Sequence, residues 1–364
     1  MLDESATKHI ETVVGQLASA SDCEGGVLDK EMALLAEQGW LRACLPKRMG
    51  GEGWGCEPDG TRDAFDALRA LGRSNLSLAR LFEGHMNAVK LIVLYGNEDT
   101  AHNLADAVKS GALLGVWGAD EPNDPLVFER RAEALALQGT KRFASGLGLV
   151  SLAVVTATTD EGQQLLLVPA GEPDRCDYAA WSMGGMRATQ SGRYDFSGVD
   201  AGPDGLIGAP GDYLREPYFE GGIWRYCAAH LGAAEALYGA MLTHLNDSDR
   251  AHDPNQQRRI VASAMAIETS RLWLLRAAGE VEAPGAEPEK AALSLLGREA
   301  TEDACRLVAE NIERALGMAA HVEASLVHRT MRDLRLFLCQ AAPDAKRGRA
   351  AESLIKRTAR PEQL

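Results

Sequence analysis

The 364-residue chain lacks the cysteine pattern of a disulfide-stapled scaffold. Its seven cysteines, Cys23, Cys44, Cys56, Cys176, Cys227, Cys305 and Cys339, are scattered and never spaced C-x-x-C. An odd number excludes complete pairing within one chain, so reduced thiols in a cytoplasmic protein are expected. An excess of positive charge is missing too. Lys and Arg number 38 against 52 Asp and Glu, a formal net charge of −14, which argues against a surface built to neutralise nucleic-acid phosphates. No uninterrupted apolar run is long enough to span a bilayer, and no membrane partner is expected. The opening Met1-Leu2-Asp3-Glu4-Ser5 has no basic segment followed by an apolar one, so no secretory signal is predicted. No G-x-G-x-x-G lies between a strand and a helix, so a Rossmann cofactor site is not indicated, and no metal site is predicted.

What is present is a chain that is 46% hydrophobic and 25% charged, enough for two or three structural units. Helical periodicity dominates before about residue 112 and after about residue 213. Residues 27–43 read as a helix, with Leu28, Met32, Leu35 and Leu41 apolar. Gly50, Gly51, Gly53 and Gly55 then force a tight loop. Helical spacing resumes over 60–95, where His85 reads as a packing or capping residue, and again from Asn97 to about Ser110. Between the helical regions stand short strands: Leu113–Gly118, 133–137, the stretch opening at Gly139, 152–158, 163–168 with Asp160-Glu161-Gly162 as a hairpin turn, and Arg193–Val199 as the last. Short strands with short turns predict a compact antiparallel barrel or sandwich. In the last third, Trp224, Ala228, Leu231, Tyr238, Leu242 and Leu245 share one helical face, and Glu235 falls on that stripe, as an edge residue or as chemistry. Asp253-Pro254 ends this helix, and others follow over 256–278, 289–316 and 326–340. Four long antiparallel helices fit a bundle.

This order of elements resembles the acyl-CoA dehydrogenase superfamily, and several segments add to the likeness. Leu45-Pro46-Lys47-Arg48-Met49-Gly50-Gly51-Glu52-Gly53 resembles the family's Pro-x-x-x-Gly-Gly-x-Gly loop. Leu78–His85 and Tyr95-Gly96 resemble its second helical stretch. Gly139-Thr140-Lys141-Arg142-Phe143-Ala144-Ser145 resembles its Gly-x-Lys-x-aromatic-x-Ser/Thr signature, and Met331-Arg332-Asp333-Leu334-Arg335 its C-terminal Arg-Asp motif. The resemblance covers nearly the whole chain. It implies an α+β fold: an N-terminal all-α domain over 1–112, a middle antiparallel β-barrel domain over 113–212 and a C-terminal four-helix bundle over 213–364. It further implies a flavoprotein oxidoreductase binding FAD, with FMN as the alternative. The subunits would associate as a homodimer or homotetramer, with a small-molecule acyl substrate that is CoA- or carrier-linked in this family. Position by position, Trp117, Ala119 and Asp120 fall on the strand beside the flavin ring. Phe143 and Ser145 fall on the aromatic and hydroxyl positions of the same wall. Arg250 is the nearest match to the arginine on the FAD pyrophosphate, and Arg314 lies in the segment matching the one that holds the adenosine end.

The departures bear on the reaction. The family's usual base is a glutamate eight residues after the Asp of the Arg-Asp motif, and here that place is Ala341, whose methyl group accepts no proton. The alternative base position of some members falls near Gly222, leaving Glu220 and Glu235 as substitute candidates. Three functions follow. The first is α,β-dehydrogenation of an acyl thioester or related substrate. The second is reduced-flavin monooxygenation, which needs no glutamate base and for which His85 or His321 would be a helper near the flavin. The third is a binding protein that has kept the fold without the chemistry.

Overall fold

A computed structural model describes residues 3–357 apart from 24, 132–133, 203, 324 and 341. Ala341, the usual position of the base, therefore lies outside the described residues. So does Glu133, the first residue of the 133–137 strand candidate.

Among the described residues the chain opens with six helices: α1 (Glu4–Ser21), α2 (Asp29–Glu37), α3 (Trp40–Ala43), α4 (Thr61–Ser74), α5 (Leu76–Tyr95) and α6 (Glu98–Lys109). Two of the helical stretches read from the sequence are each split in two. Gly39 has φ +76°, a left-handed backbone open to glycine, and it separates α2 from α3. Asn75 is extended at φ −155°, and its side chain accepts from the N–H groups of Ser77 and Leu78, so it caps a new helix rather than continuing the old one. The glycine-rich loop packs tightly. Gly53 N–H donates to Leu45 O at 2.8 Å and Trp54 N–H to Ala43 O at 3.0 Å, which seats the Trp54 ring edge-on against Trp40.

Among the described residues nine strands follow: β1 (Leu113–Trp117), β2 (Val127–Arg131), β3 (Ala134–Gln138), β4 (Thr140–Ala144), β5 (Val150–Thr159), β6 (Gly162–Pro169), β7 (Cys176–Asp177), β8 (Gly192–Asp195) and β9 (Leu206–Ile207). They form a sheet ordered β1-β5-β6-β9, a hairpin β2-β3 and a sheet ordered β4-β8-β7. The β5–β6 hairpin turns where the sequence indicated, with Thr159 opposite Gly162. All pairs are antiparallel except β1–β5, which is parallel, so the region is mixed rather than uniformly antiparallel. The strand expected to be last ends early at Asp195, and β9 follows it. Lys141 knits the two larger sheets together. Its side chain is fully buried and donates to Asp120 (2.5 Å), Thr156 Oγ1 (3.1 Å) and Gly118 O (3.3 Å).

The C-terminal helices are α7 (Trp224–Asp247), α8 (Pro254–Val281), α9 (Ala291–Leu316), α10 (Leu326–Leu338) and α11 (Pro343–Arg357); the last was not read from the sequence. Helices α7, α8 and α9 pack on one another, α10 lies on α7, and α11 lies on α9. Helix α7 also crosses α4 at very short range. A Cβ on Gly72 would stand 2.2 Å from Ala229 O, and one on Gly232 would stand 2.1 Å from Arg69 O. Among the described residues no helix is long and apolar enough to cross a membrane.

Candidate functional site

One cavity of about 930 Å³ opens where the three regions meet. That is within the roughly 300–1,000 Å³ of small-molecule and cofactor sites. Its β side is built on the Phe143 bulge. The β4–β8 register slips between Arg142 and Ala144, and Phe143 sits in the slip at φ +54° with its ring half exposed. Bulges re-aim side chains in this way, and a left-handed conformation at an aromatic residue persists only where the surroundings impose it. The ring meets Trp181 edge-on at 6.4 Å, and the Arg142 guanidinium lies 4.9 Å from its centroid. Two residues on, Ser145 is fixed from both sides. Trp117 Nε1 donates to its carbonyl at 3.0 Å, and Ser191 Oγ hydrogen-bonds its hydroxyl at 3.0 Å. Trp117 and Ala119 complete this wall. Two buried donors beside it, Arg142 Nε and Trp181 Nε1, have no hydrogen-bond partner. Such orphans are rare in a folded interior.

The helical side is polar. Arg80, Glu83, Asn87 and Lys90 follow one another at three- and four-residue spacing, so one face of α5 lines the cavity with hydrogen-bonding groups. Glu83 is the one carboxylate of the lining among the described residues, and both its oxygens are engaged, by Arg80 and by Asn87 Nδ2. Lys90 and Arg225 converge on Glu282, just beyond the lining, at 2.8 and 2.5 Å, and Trp224 Nε1 donates to the same carboxylate at 3.2 Å. Burial alone would raise the Glu282 carboxyl. Arg225 and Lys90, with the bonds from Lys90 and Trp224, hold it below its ordinary value. Arg225 Nη2 also donates to Gly55 O at 2.7 Å, so the glycine-rich loop reaches this cluster. The α5 stripe escaped the sequence reading, although four polar residues at helical spacing in an apolar segment were its signal.

The structure gathers Trp117, Ala119, Phe143 and Ser145 on the cavity wall and places the other candidates elsewhere. Asp120 is outside the lining, bound to Lys141 and accepting from Leu126 N–H. Arg250 Nη1 donates to Ala315 O at 3.1 Å, which caps the end of α9. Arg314 is exposed and pairs with Glu310 one turn away. Glu235 is not a base poised over a substrate: it receives Arg69 at 2.5 Å and Arg73 at 2.6 Å across the α4–α7 packing. Glu220 is buried against Arg349, outside the lining. Neither histidine lines the cavity. His85 is fully buried, with Nε2 against Leu41 O (3.1 Å) and Nδ1 accepting from Leu114 N–H (3.2 Å); burial pushes its pKa down to about 4, so it is a neutral packing residue. His321 is exposed beside Glu313.

The comparisons with known proteins agree with this architecture. The family model described as acyl-CoA dehydrogenase, N-terminal domain, matches residues 1–111. A dibenzothiophene monooxygenase of Rhodococcus erythropolis is 28% identical over 208 residues, 53% of this chain and 48% of the relative. The chain thus spans about half the length of the curated relatives it matches first. Among solved structures, TdsC of Paenibacillus sp. A11-2 in complex with FMN and indole superposes with a TM-score of 0.82 at 20% identity, over 98% of this chain and 97% of that one. A glutaryl-coenzyme A dehydrogenase in complex with glutaryl-CoA gives 0.82 at 18% identity, over 99% and 97%. Residues 1–111 are therefore similar to the N-terminal domain of acyl-CoA dehydrogenases, and the chain has the acyl-CoA dehydrogenase-like fold along its described length.

Proposed function

We propose that this chain is a flavin-dependent oxidoreductase that uses FMN in a monooxygenase reaction on a small organic substrate. The cavity suits a flavin. An exposed aromatic ring on a strained bulge offers a stacking face, and the Ser145 hydroxyl on the same wall is a hydrogen-bonding group for a ring nitrogen or carbonyl. The unpartnered donors Arg142 Nε and Trp181 Nε1 suit the acceptor-rich rim of an isoalloxazine or a phosphate. The bound flavin would supply redox equivalents and oxygen activation; the chain binds it, orients it and excludes water. FMN is favoured over FAD because Arg250 and Arg314, the residues assigned to the dinucleotide half, lie away from the cavity. The FMN-bound TdsC neighbour lends the same support.

The observation that carries the choice of reaction is Glu83. The lining's one carboxylate among the described residues is held by Arg80 and Asn87, so no free carboxylate stands ready to take an α-proton. Dehydrogenation of an acyl thioester, on the pattern of the glutaryl-CoA dehydrogenase neighbour, would require Glu83 to leave both partners. The test is to supply purified protein with reduced FMN, ¹⁸O₂ and candidate aromatic and organosulfur substrates. Incorporation of ¹⁸O into product supports the reading. Binding of FMN with substrate desaturation and no ¹⁸O incorporation would replace it with dehydrogenation. Failure to bind either FMN or FAD, oxidised or reduced, would remove both.

A further inference from the structure

The Lys90–Arg225–Glu282 cluster is the most strongly built group of charges on the cavity, and the flavin wall does not account for it. Its members come from three helical segments: Lys90 from the C-terminal half of α5, Arg225 from the start of α7, and Glu282 from the residue after α8. The side chains of Lys90 and Arg225 are 9% and 3% exposed, and that of Glu282 is 1% exposed. Two cations thus share one carboxylate, which leaves an excess positive charge in a desolvated site. An uncompensated charge so deeply buried is unfavourable unless a counter-ion completes it. The polar bonding is incomplete as well: Arg225 Nε is buried and has no hydrogen-bond partner.

Space has been cleared for the guanidinium. A Cβ on Gly222 would stand 2.7 Å from Arg225 Nη1. Gly222 is the residue nearest the alternative base position implied by the family resemblance. Where some relatives would project a carboxylate, this chain has no side chain and an arginine occupies the adjoining volume. The polarity of the position is reversed, from a group that takes a proton to a group that attracts negative charge. The aromatic rings of Tyr218 and Tyr226 share this part of the lining, and Lys90 Nζ lies 5.0 Å from the Tyr218 centroid.

We propose that Arg225 and Lys90, braced by Glu282, form the recognition site for an acidic group on the substrate, so that the preferred substrates are small organic anions such as carboxylates, sulfinates or sulfonates. The assignment rests on the flavin reading, since it takes the Phe143 wall as the place of the isoalloxazine. A guanidinium beside an ammonium suits such anions because it offers fixed donors and an added point charge. Arg225 and Lys90 are positioning and specificity residues here, and the reaction itself stays at the flavin wall.

The same chemistry would also grip the phosphate of FMN, and the experiment separates the two sources. FMN and riboflavin are first titrated into wild-type protein by fluorescence. If neither binds, the flavin reading fails, and this inference falls with it. With FMN bound, benzoate and benzamide, then benzenesulfonate and benzenesulfonamide, are titrated by calorimetry. The expected result is that each anion binds at least tenfold tighter than its neutral partner. In Arg225→Gln that preference should fall at least tenfold while FMN affinity holds, and Arg225→Lys should restore part of it. Glu282→Gln, which keeps both cations and removes the opposing charge, should strengthen anion binding, and it keeps the test open should Arg225→Gln fail to fold. Equal binding of anion and amide overturns the proposal with the flavin reading intact. So does loss of FMN affinity, but not riboflavin affinity, in Arg225→Gln, which would assign the cluster to the cofactor phosphate.

Discussion

Phe143 occupies a backbone conformation that few side chains tolerate, and it presents its ring to the cavity rather than to the core. Half-exposed aromatic surface contributes little to folding, so its removal should tell on the ligand more than on stability. Phe143→Ala is expected to weaken FMN binding about tenfold, ~1.4 kcal/mol, in a fluorescence titration, with the melting temperature nearly unchanged. Unaltered FMN affinity would dissociate the bulge from the flavin. His230 shows the opposite case, a polar residue given over to packing. It stacks edge-on against Phe337 at 4.4 Å, and burial, with Arg298 nearby, pushes its pKa down to about 3. The ordinary histidine value is 6.5, and the folded value lies below it. The resulting stability is therefore fully present above pH 6.5. It is lost as pH falls toward the folded value, because the unfolded chain takes up a proton that the folded chain refuses. His85, held down to about 4, acts in the same direction. Chemical denaturation should show stability falling by a few kcal/mol between about pH 6.5 and pH 4. His230→Phe should flatten part of that slope; an unchanged slope would assign the acid sensitivity to other groups.

Helices α4 and α7 are brought together by absent side chains. Gly72 and Gly232 face each other's partner backbones, at Ala229 O and Arg69 O, and the neighbouring Arg69, Arg73 and Glu235 close the crossing with ion pairs. A methyl group at either glycine would meet a carbonyl oxygen that belongs to a helix backbone and cannot turn aside. Gly72→Ala and Gly232→Ala should each destabilise the protein by about 2 kcal/mol or more despite alanine's better helix propensity, measured by urea unfolding. A neutral or stabilising result would show that the helices can separate without loss. Glu235 also shows why the sequence was ambiguous here. A carboxylate on an apolar stripe signals either chemistry or a buried partner, and its partners, Arg69 and Arg73, lie more than 160 residues away in the chain.

Over the whole molecule, the Arg332-Asp333 pair joins the C-terminal helices to the β region. Asp333 Oδ1 accepts from Met186 N–H at 2.7 Å and pairs with Arg332 at 3.0 Å, and Met186 is held at φ +53°. The turn so anchored supplies Met186, Thr189 and Ser191 to the cavity wall. Asp333→Ala would leave a buried N–H unpaired and is expected to lower stability by about 2–4 kcal/mol. It should also loosen FMN binding, whereas a loss of stability with FMN affinity intact would make the contact purely architectural.

The sequence by itself determined the order of helical and β regions, the hairpin at residues 160–162, the positions of the main C-terminal helices and the aromatic–hydroxyl pair Phe143 and Ser145. Each of these is written in local periodicity, in glycine and proline punctuation or in a short contiguous motif. Only the tertiary structure decided that β1 runs parallel to β5, that Glu235 pairs with Arg69 and Arg73 across helix packing, that Arg250 and Arg314 stand apart from the cavity, and that Lys90, Arg225 and Glu282 meet. Those facts depend on which distant segments touch, and on the desolvation and charge pairing that follow, neither of which leaves a local signature in the chain.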